Sequence, residues 1–279
     1  KQSLDARSKV GMFGGSTTFS VLTNQKGTIA SQLSQLSNRF QILNFGVGGY
    51  STSAEIMTFV EAIRGYPDMR HAIFYDGVNE LGRQVESDKQ KDVLETYKLI
   101  GNPYVAGEFE AIKKKIGLGI NLQYTKIYYL YHRILSKIKI KLFSIDNKIY
   151  NRNHDKVINR YFENLKTIKG ICDIYQIKCF FVWQPSIFTT NPKVLNEREI
   201  NIMKNMAKLT EWDMSNYADL TKKIFKDPRS QSLNLIDLTD ALDNKNNSKR
   251  AYQDWCHLNA SGNKLVANAL FNKIISIIE

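Results

Sequence analysis

The chain is short of three things that usually narrow a function quickly: cysteine, histidine and long apolar runs. Only three of its 279 residues are cysteines, and Cys172, Cys179 and Cys256 do not fall into a metal-ligand spacing. Cys172 and Cys179 read as two buried thiols on a helix-to-strand connection, with a disulfide as the alternative, so the redox compartment stays open. No apolar run reaches the ~18 residues that a membrane-spanning helix needs. Residues 1–8 are mostly polar and carry no signal-peptide pattern. Such a start fits a trimmed or mature form. The expected setting is extracytoplasmic or membrane-associated, with any native leader or anchor lying outside this chain. There are four histidines, which leaves few candidates for a general base.

What is present suffices for a folded domain. Apolar residues make up 43% of the chain, and no internal repeat or low-complexity linker divides it, so one domain over 1–279 is expected. The formal charge of +12 is uneven: residues 111–160 hold nine Lys and three Arg against Asp146 and Asp155. That segment reads first as a solvated helical face. Its alternatives are a surface for an anionic polymer or membrane, and a lid over a substrate. No nucleic-acid motif accompanies the charge, so nucleic acid is not an expected partner.

Strand-like runs at 9–14, 40–45, 71–75, 178–183 and 233–238 alternate with helix-like stretches at 28–38, 52–64, one ending near 176, 195–226 and 260–277. Ser51 and Asn259 stand where caps belong. This order predicts an α/β fold with a mostly parallel five-stranded sheet in a three-layer α/β/α arrangement, flavodoxin-like. The gap between the third and fourth strands is too long for a simple crossover. Residues 90–160 are therefore expected to form a helical cap or lid inserted between those strands.

Ligands in open parallel sheets sit beyond the carboxyl ends of the strands. There the sequence places Gly14-Gly15-Ser16, then "NFGVGGYST" at 44–52, then "DGVNEL" at 76–81; "DWCHLNASG" at 254–262 precedes the last helix. A serine hydroxyl becomes a nucleophile when a histidine can take its proton and a carboxylate orients that histidine. Asp254 and His257, three apart, suit that pairing. A glycine-turn amide and an asparagine side chain suit the oxyanion, each contributing about 3–4 kcal/mol. His257 is the only histidine in an Asp-x-x-His frame beside a terminal helix, whereas His71 opens a strand and His132 and His154 lie in the basic segment.

These four blocks resemble those of the SGNH hydrolases, or GDSL-type esterases. The resemblance frames nearly the whole chain. It implies Ser16 as nucleophile, with Asp254 and His257 completing the triad. The oxyanion donors it implies are the Ser16 and Gly49 amides and the Asn79 side chain, with Gly46 and Gly48 competing for the backbone role. It implies no metal and no organic cofactor. Gly15 replaces the family's usual aspartate before the nucleophile, and the acidic residue after the asparagine is Glu80 rather than Asp. Trp183 and Gln184, ending the fourth strand, are candidates for substrate contact, with core packing as the alternative for Trp183.

By this resemblance the expected reaction is removal of a short acyl group, acetyl by preference, from a carbohydrate or other cell-surface glycan. Transfer of that acetyl to a sugar hydroxyl uses the same triad, and a non-catalytic glycan-binding module is the third reading. A rival class rests on "GVGGYS", a degraded Gly-x-Gly-x-x-Gly dinucleotide fingerprint with Asp76 as its acid. That pattern belongs on the first strand, lacks its third glycine, and leaves Ser16 and Asp-x-x-His unused.

Overall fold

Side chains alternate along each strand, and here both faces are apolar. In β1 (Ser8–Gly14), Val10 and Met12 point to one layer and Phe13 to the other. β3 (His71–Asp76) repeats this with Ile73 and Tyr75 against Ala72 and Phe74. A strand that is apolar on both faces needs a layer of helices on each. The computed structural model, which describes residues 7–81, 154–207, 216–246 and 249–278, has this arrangement.

The remaining strands are β2 (Phe40–Asn44), β4 (Lys178–Trp183) and β5 (Ile236–Asp237), and all five run parallel in the order β2-β1-β3-β4-β5. One face is covered by α2 (Ile29–Leu36) and α8 (Ala260–Leu270), the latter continued by a π-helical turn at Phe271–Ile275 and a final turn at Ser276–Ile278. The other face carries α3 (Thr52–Gly65), α4 (His154–Ile174) and α6 (Tyr217–Lys226). Shorter pieces are α1 (Ser16–Phe19), α5 (Glu197–Ala207) and α7 (Pro228–Ser232).

The three-layer reading of the sequence holds, with local differences. The predicted helix over 195–226 is seen as α5 and α6, with residues 208–215 outside the described set. β5 is shorter than the predicted 233–238 because Asn234 adopts φ +51, which breaks the extended run before Ile236. Asn259 caps α8, its side chain accepting the Gly262 amide at 2.9 Å. Ser51 precedes α3 but makes no side-chain cap; Glu80 takes the Thr52 amide instead, at 2.8 Å.

Cys172 and Cys179 are joined by a disulfide, with Cα atoms 6.3 Å apart, which corrects the expectation of two buried thiols. The chain doubles back sharply after α4: the Ile177 amide bonds the Cys172 carbonyl at 2.9 Å, and Gln176 takes φ +54. That turn brings residues seven apart in sequence within reach of a bond.

The residues Lys1–Gln84 and His154–Glu279 form one unit and Val85–Asn153 a second. Of the predicted insertion at 90–160, residues 154–160 open α4, with Val157 and Ile158 buried in the core. The rest lies outside the described residues. Among the described residues, no helix is long and apolar enough to cross a membrane.

Candidate active site

β1 has β2 on one side and β3 on the other, so its carboxyl end is the topological switch point of the sheet. The turn there is forced by glycine. Gly14 sits at φ +152, and a Cβ on it would meet Thr18 Oγ1 at 2.1 Å and the Tyr75 carbonyl at 2.6 Å. The chain then turns directly into α1, whose first residue is Ser16, so the Ser16 hydroxyl stands at the sheet's rim. A first-turn amide such as that of Ser16 has no partner within its own helix.

The second half of the site comes from the loop before α8. Tyr252 and Leu258 pair as an antiparallel bridge, and the Gln253 amide bonds the His257 carbonyl at 2.8 Å. Inside this small hairpin, Asp254 Oδ1 accepts the amides of Cys256 and His257 at 2.9 and 2.8 Å. Its Oδ2 accepts from His257 Nδ1 at 2.7 Å. His257 Nε2 lies 2.7 Å from Ser16 Oγ. With Nδ1–H committed to the carboxylate, the neutral imidazole presents Nε2 as an acceptor for the serine hydroxyl. Burial alone would raise the Asp254 carboxyl, but the imidazole and two amides outweigh it and hold it below the usual carboxylate range.

Asn79 and the 46–50 loop face the same turn. The Asn79 side chain donates to the Tyr50 carbonyl at 2.6 Å. A Cβ on Gly15 would lie 2.1 Å from Asn79 Nδ2 and 2.9 Å from that carbonyl. Gly15 therefore occupies a space that only hydrogen fits, directly before the serine. Gly49 adopts φ +79, whereas Gly46 is fixed by packing, since a Cβ there would meet the Phe19 amide nitrogen at 2.4 Å. Among the described residues, nothing lies within 4 Å of a Cβ built on Gly48. Glu80 accepts both the amide and the hydroxyl of Thr52, so the segments carrying Asn79 and Gly49 are tied at two points.

Beneath them lie three buried carboxyls, Glu55, Asp76 and Glu80. Among the described residues, neither Glu55 oxygen nor Asp76 Oδ2 meets a donor; protonating Glu55 supplies one, directed at Asp76. Burial first, then the neighbouring acids, pushes Glu55 and Asp76 well above the carboxylate range. Burial also raises Glu80, against the opposing effect of the Thr52 donors and Arg160.

Trp183 and Gln184 lie inside the protein, in place of the substrate-facing position expected from the end of β4. Trp183 is 0% exposed; its indole donates to Thr221 Oγ1 at 2.9 Å and stacks on Tyr217 with ring centroids 5.5 Å apart. Gln184 is 1% exposed and accepts from Thr17 Oγ1 at 2.8 Å, so it touches the residue after the serine from within. What the sequence reading missed is the exposed apolar turn after Ser16, formed by Phe19, Val21 and Leu22, and the supporting roles of the Tyr50 carbonyl and the Glu80 carboxylate.

Among the described residues, one group has metal-ligand spacing: the ligand atoms of Asp254, Cys256 and His257 lie within 4.8 Å of one another. Its Nδ1 is already engaged by Asp254, and burial pushes the Cys256 thiol well up, disfavouring the thiolate that a metal would need.

No protein-family model matches the chain, and no curated protein matches it. Among solved structures it is similar to a carbohydrate acetylesterase family member from Sinorhizobium meliloti, at 10% identity and a TM-score of 0.51, over 96% of this chain and 97% of that one. The two share a fold. It is also similar to an acetyl xylan esterase, at 13% identity and a TM-score of 0.49, over 95% of this chain and 99% of that one. A member of the lipolytic G-D-S-L family from Veillonella parvula matches at 11% identity and a TM-score of 0.47, over 96% and 98%.

Proposed function

We propose that the chain is a serine ester hydrolase of the SGNH type that removes a short acyl group, acetyl by preference, from an ester on a carbohydrate. The observation that carries the proposal is the continuous relay Ser16 Oγ to His257 Nε2 at 2.7 Å and His257 Nδ1 to Asp254 Oδ2 at 2.7 Å. That geometry is within hydrogen-bond reach at both steps, as nucleophile activation requires. The choice of acetyl on carbohydrate takes its support from the name of the Sinorhizobium protein that shares the fold and from the first sequence block.

In this reading Ser16 Oγ attacks the ester carbonyl carbon as its proton passes to His257 Nε2. The oxyanion forms among the Ser16 and Gly49 amides and the Asn79 side chain. One Asn79 amide hydrogen is held by Tyr50, and the second serves the oxyanion. Asp254 stabilises the imidazolium. The carbon–oxygen bond to the alcohol then breaks, and Nε2–H protonates the leaving oxygen. Water, deprotonated by His257, attacks the acyl-serine; the acid leaves and Ser16 recovers its proton.

Turnover of p-nitrophenyl acetate beside longer-chain esters, with wild type against Ser16→Ala, tests the proposal. It expects turnover that falls with chain length and is abolished in the variant. Equal turnover in both proteins would refute it. An acetyl adduct that forms and clears slowly in water would favour transfer to a sugar hydroxyl over hydrolysis. The reading of residues 111–160 as a surface for an anionic polymer or membrane falls outside the described residues, apart from 154–160.

A further inference from the structure

The loop that carries Asp254 and His257 is gripped at its entry by one buried carboxylate. Glu199 is 0% exposed and Lys245 is buried with it. Glu199 Oε1 accepts the amides of Ala251 and Tyr252 at 2.7 and 2.9 Å. Oε2 accepts the Asn196 amide at 3.0 Å and lies 2.8 Å from Lys245 Nζ. The Glu199 amide in turn donates to Asn196 Oδ1 at 3.0 Å, a reciprocal cap at the start of α5. That cap uses only Oε2. The other oxygen is committed to the loop.

Lys245 also donates to the carbonyls of Val194 and Lys249, so the pair joins the start of α5 to the stretch 245–252. From the grip to the triad the path is short and bonded throughout. The Asn259 amide reaches the Ala251 carbonyl at 2.8 Å, and the Gln253 amide reaches the His257 carbonyl at 2.8 Å. The Tyr252 hydroxyl meets Thr190 Oγ1 at 2.7 Å. Burial would raise the Glu199 carboxyl, but Lys245 and the backbone donors outweigh it and keep it low. A buried ion pair adds little stability over an apolar pair of the same shape, so its stability alone does not account for this one.

We infer that Glu199 is a positioning residue: by holding the Ala251 and Tyr252 amides it sets the register of the hairpin that presents His257 to Ser16. This rests on the proposed reading of the triad.

Two double variants separate positioning from stability. Glu199→Gln with Lys245→Met and Glu199→Ala with Lys245→Met both remove the buried charges. Only the first leaves an oxygen for the two loop amides. With p-nitrophenyl acetate, well below each variant's Tm, the alanine double is expected to lose about tenfold or more in kcat, as a small misplacement of a reacting group does. Its KM is expected to stay near wild type, and the glutamine double to recover most of the kcat. Equal kcat in the two doubles overturns the inference. Should the alanine double fail to fold, Glu199→Asp serves in its place. It keeps the charge beside Lys245 but falls one methylene short of the loop, and is expected to show the same loss; unchanged kcat there overturns the inference equally. Ser16→Ala is measured alongside. If that variant still turns over, it is the triad reading that fails, whereas Ser16-dependent turnover with indistinguishable doubles sinks only the role of Glu199.

Discussion

Replacing Gly15 by alanine tests how the oxyanion side of the site is built. The new methyl would stand 2.1 Å from Asn79 Nδ2 and 2.9 Å from the Tyr50 carbonyl oxygen. Ordinary contact begins at about 3.5 Å, so the amide must retreat by roughly 1 Å or more, and a shift of that size can cost about 100-fold in rate. Loss of one oxyanion donor outright costs about 100- to 1,000-fold in kcat. Gly15→Ala should therefore approach the effect of Asn79→Ala. The informative measurement is the double-mutant cycle, read as kcat on p-nitrophenyl acetate. Because the closest clash is with that amide, Gly15→Ala should cost much less in the Asn79→Ala background, where only the 2.9 Å approach to the Tyr50 carbonyl remains. If the two losses add, or if Gly15→Ala alone is harmless, the placement of Asn79 against Gly15 does not govern the oxyanion.

Three further outcomes follow from the same geometry. Asp254→Asn keeps the shape of the loop but cannot hold the productive His257 tautomer, and kcat should fall about 10,000-fold, with KM little changed in steady-state kinetics. Glu55 and Asp76 keep a proton that the unfolded chain releases in the ordinary carboxylate range. Stability should therefore fall as pH rises above that range, by about 1.4 kcal/mol per pH unit for each retained proton. Glu55→Gln, which supplies a donor without titrating, should flatten that slope in denaturant titrations run across pH; an unchanged slope would count against the buried pair. Reducing the Cys172–Cys179 disulfide, or replacing both cysteines by serine, should lower stability by about 2–3 kcal/mol for so short a loop, seen as a drop in Tm that added reductant does not deepen in the variant.

The sheet was legible because its strands are apolar on both faces, with glycine turns after β1 and β3: β1, β3 and β4 lie within a residue of their expected bounds. The serine turn and the Asp-x-x-His loop were legible as local patterns, and the structure brings them together from residues 241 apart. Three things were not legible. The disulfide depends on the left-handed Gln176 and the reversal after α4, which no local spacing announces. The burial of Trp183 and Gln184 depends on Tyr217 and Thr221, which arrive from α6. Glu199 carries a local signature, the Asn196-x-x-Glu199 cap, but a pattern of that kind predicts only the helix start and not the second oxygen's reach to Ala251 and Tyr252.

The central claim is that Ser16 is the nucleophile of a hydrolytic triad. The most direct test is to treat wild type and Ser16→Ala with a fluorophosphonate, then weigh the intact proteins and map the labelled peptide. The account predicts one adduct in wild type, on the peptide containing Ser16, and none in the variant. Wild type that stays unlabelled, or a variant that labels equally, would contradict it.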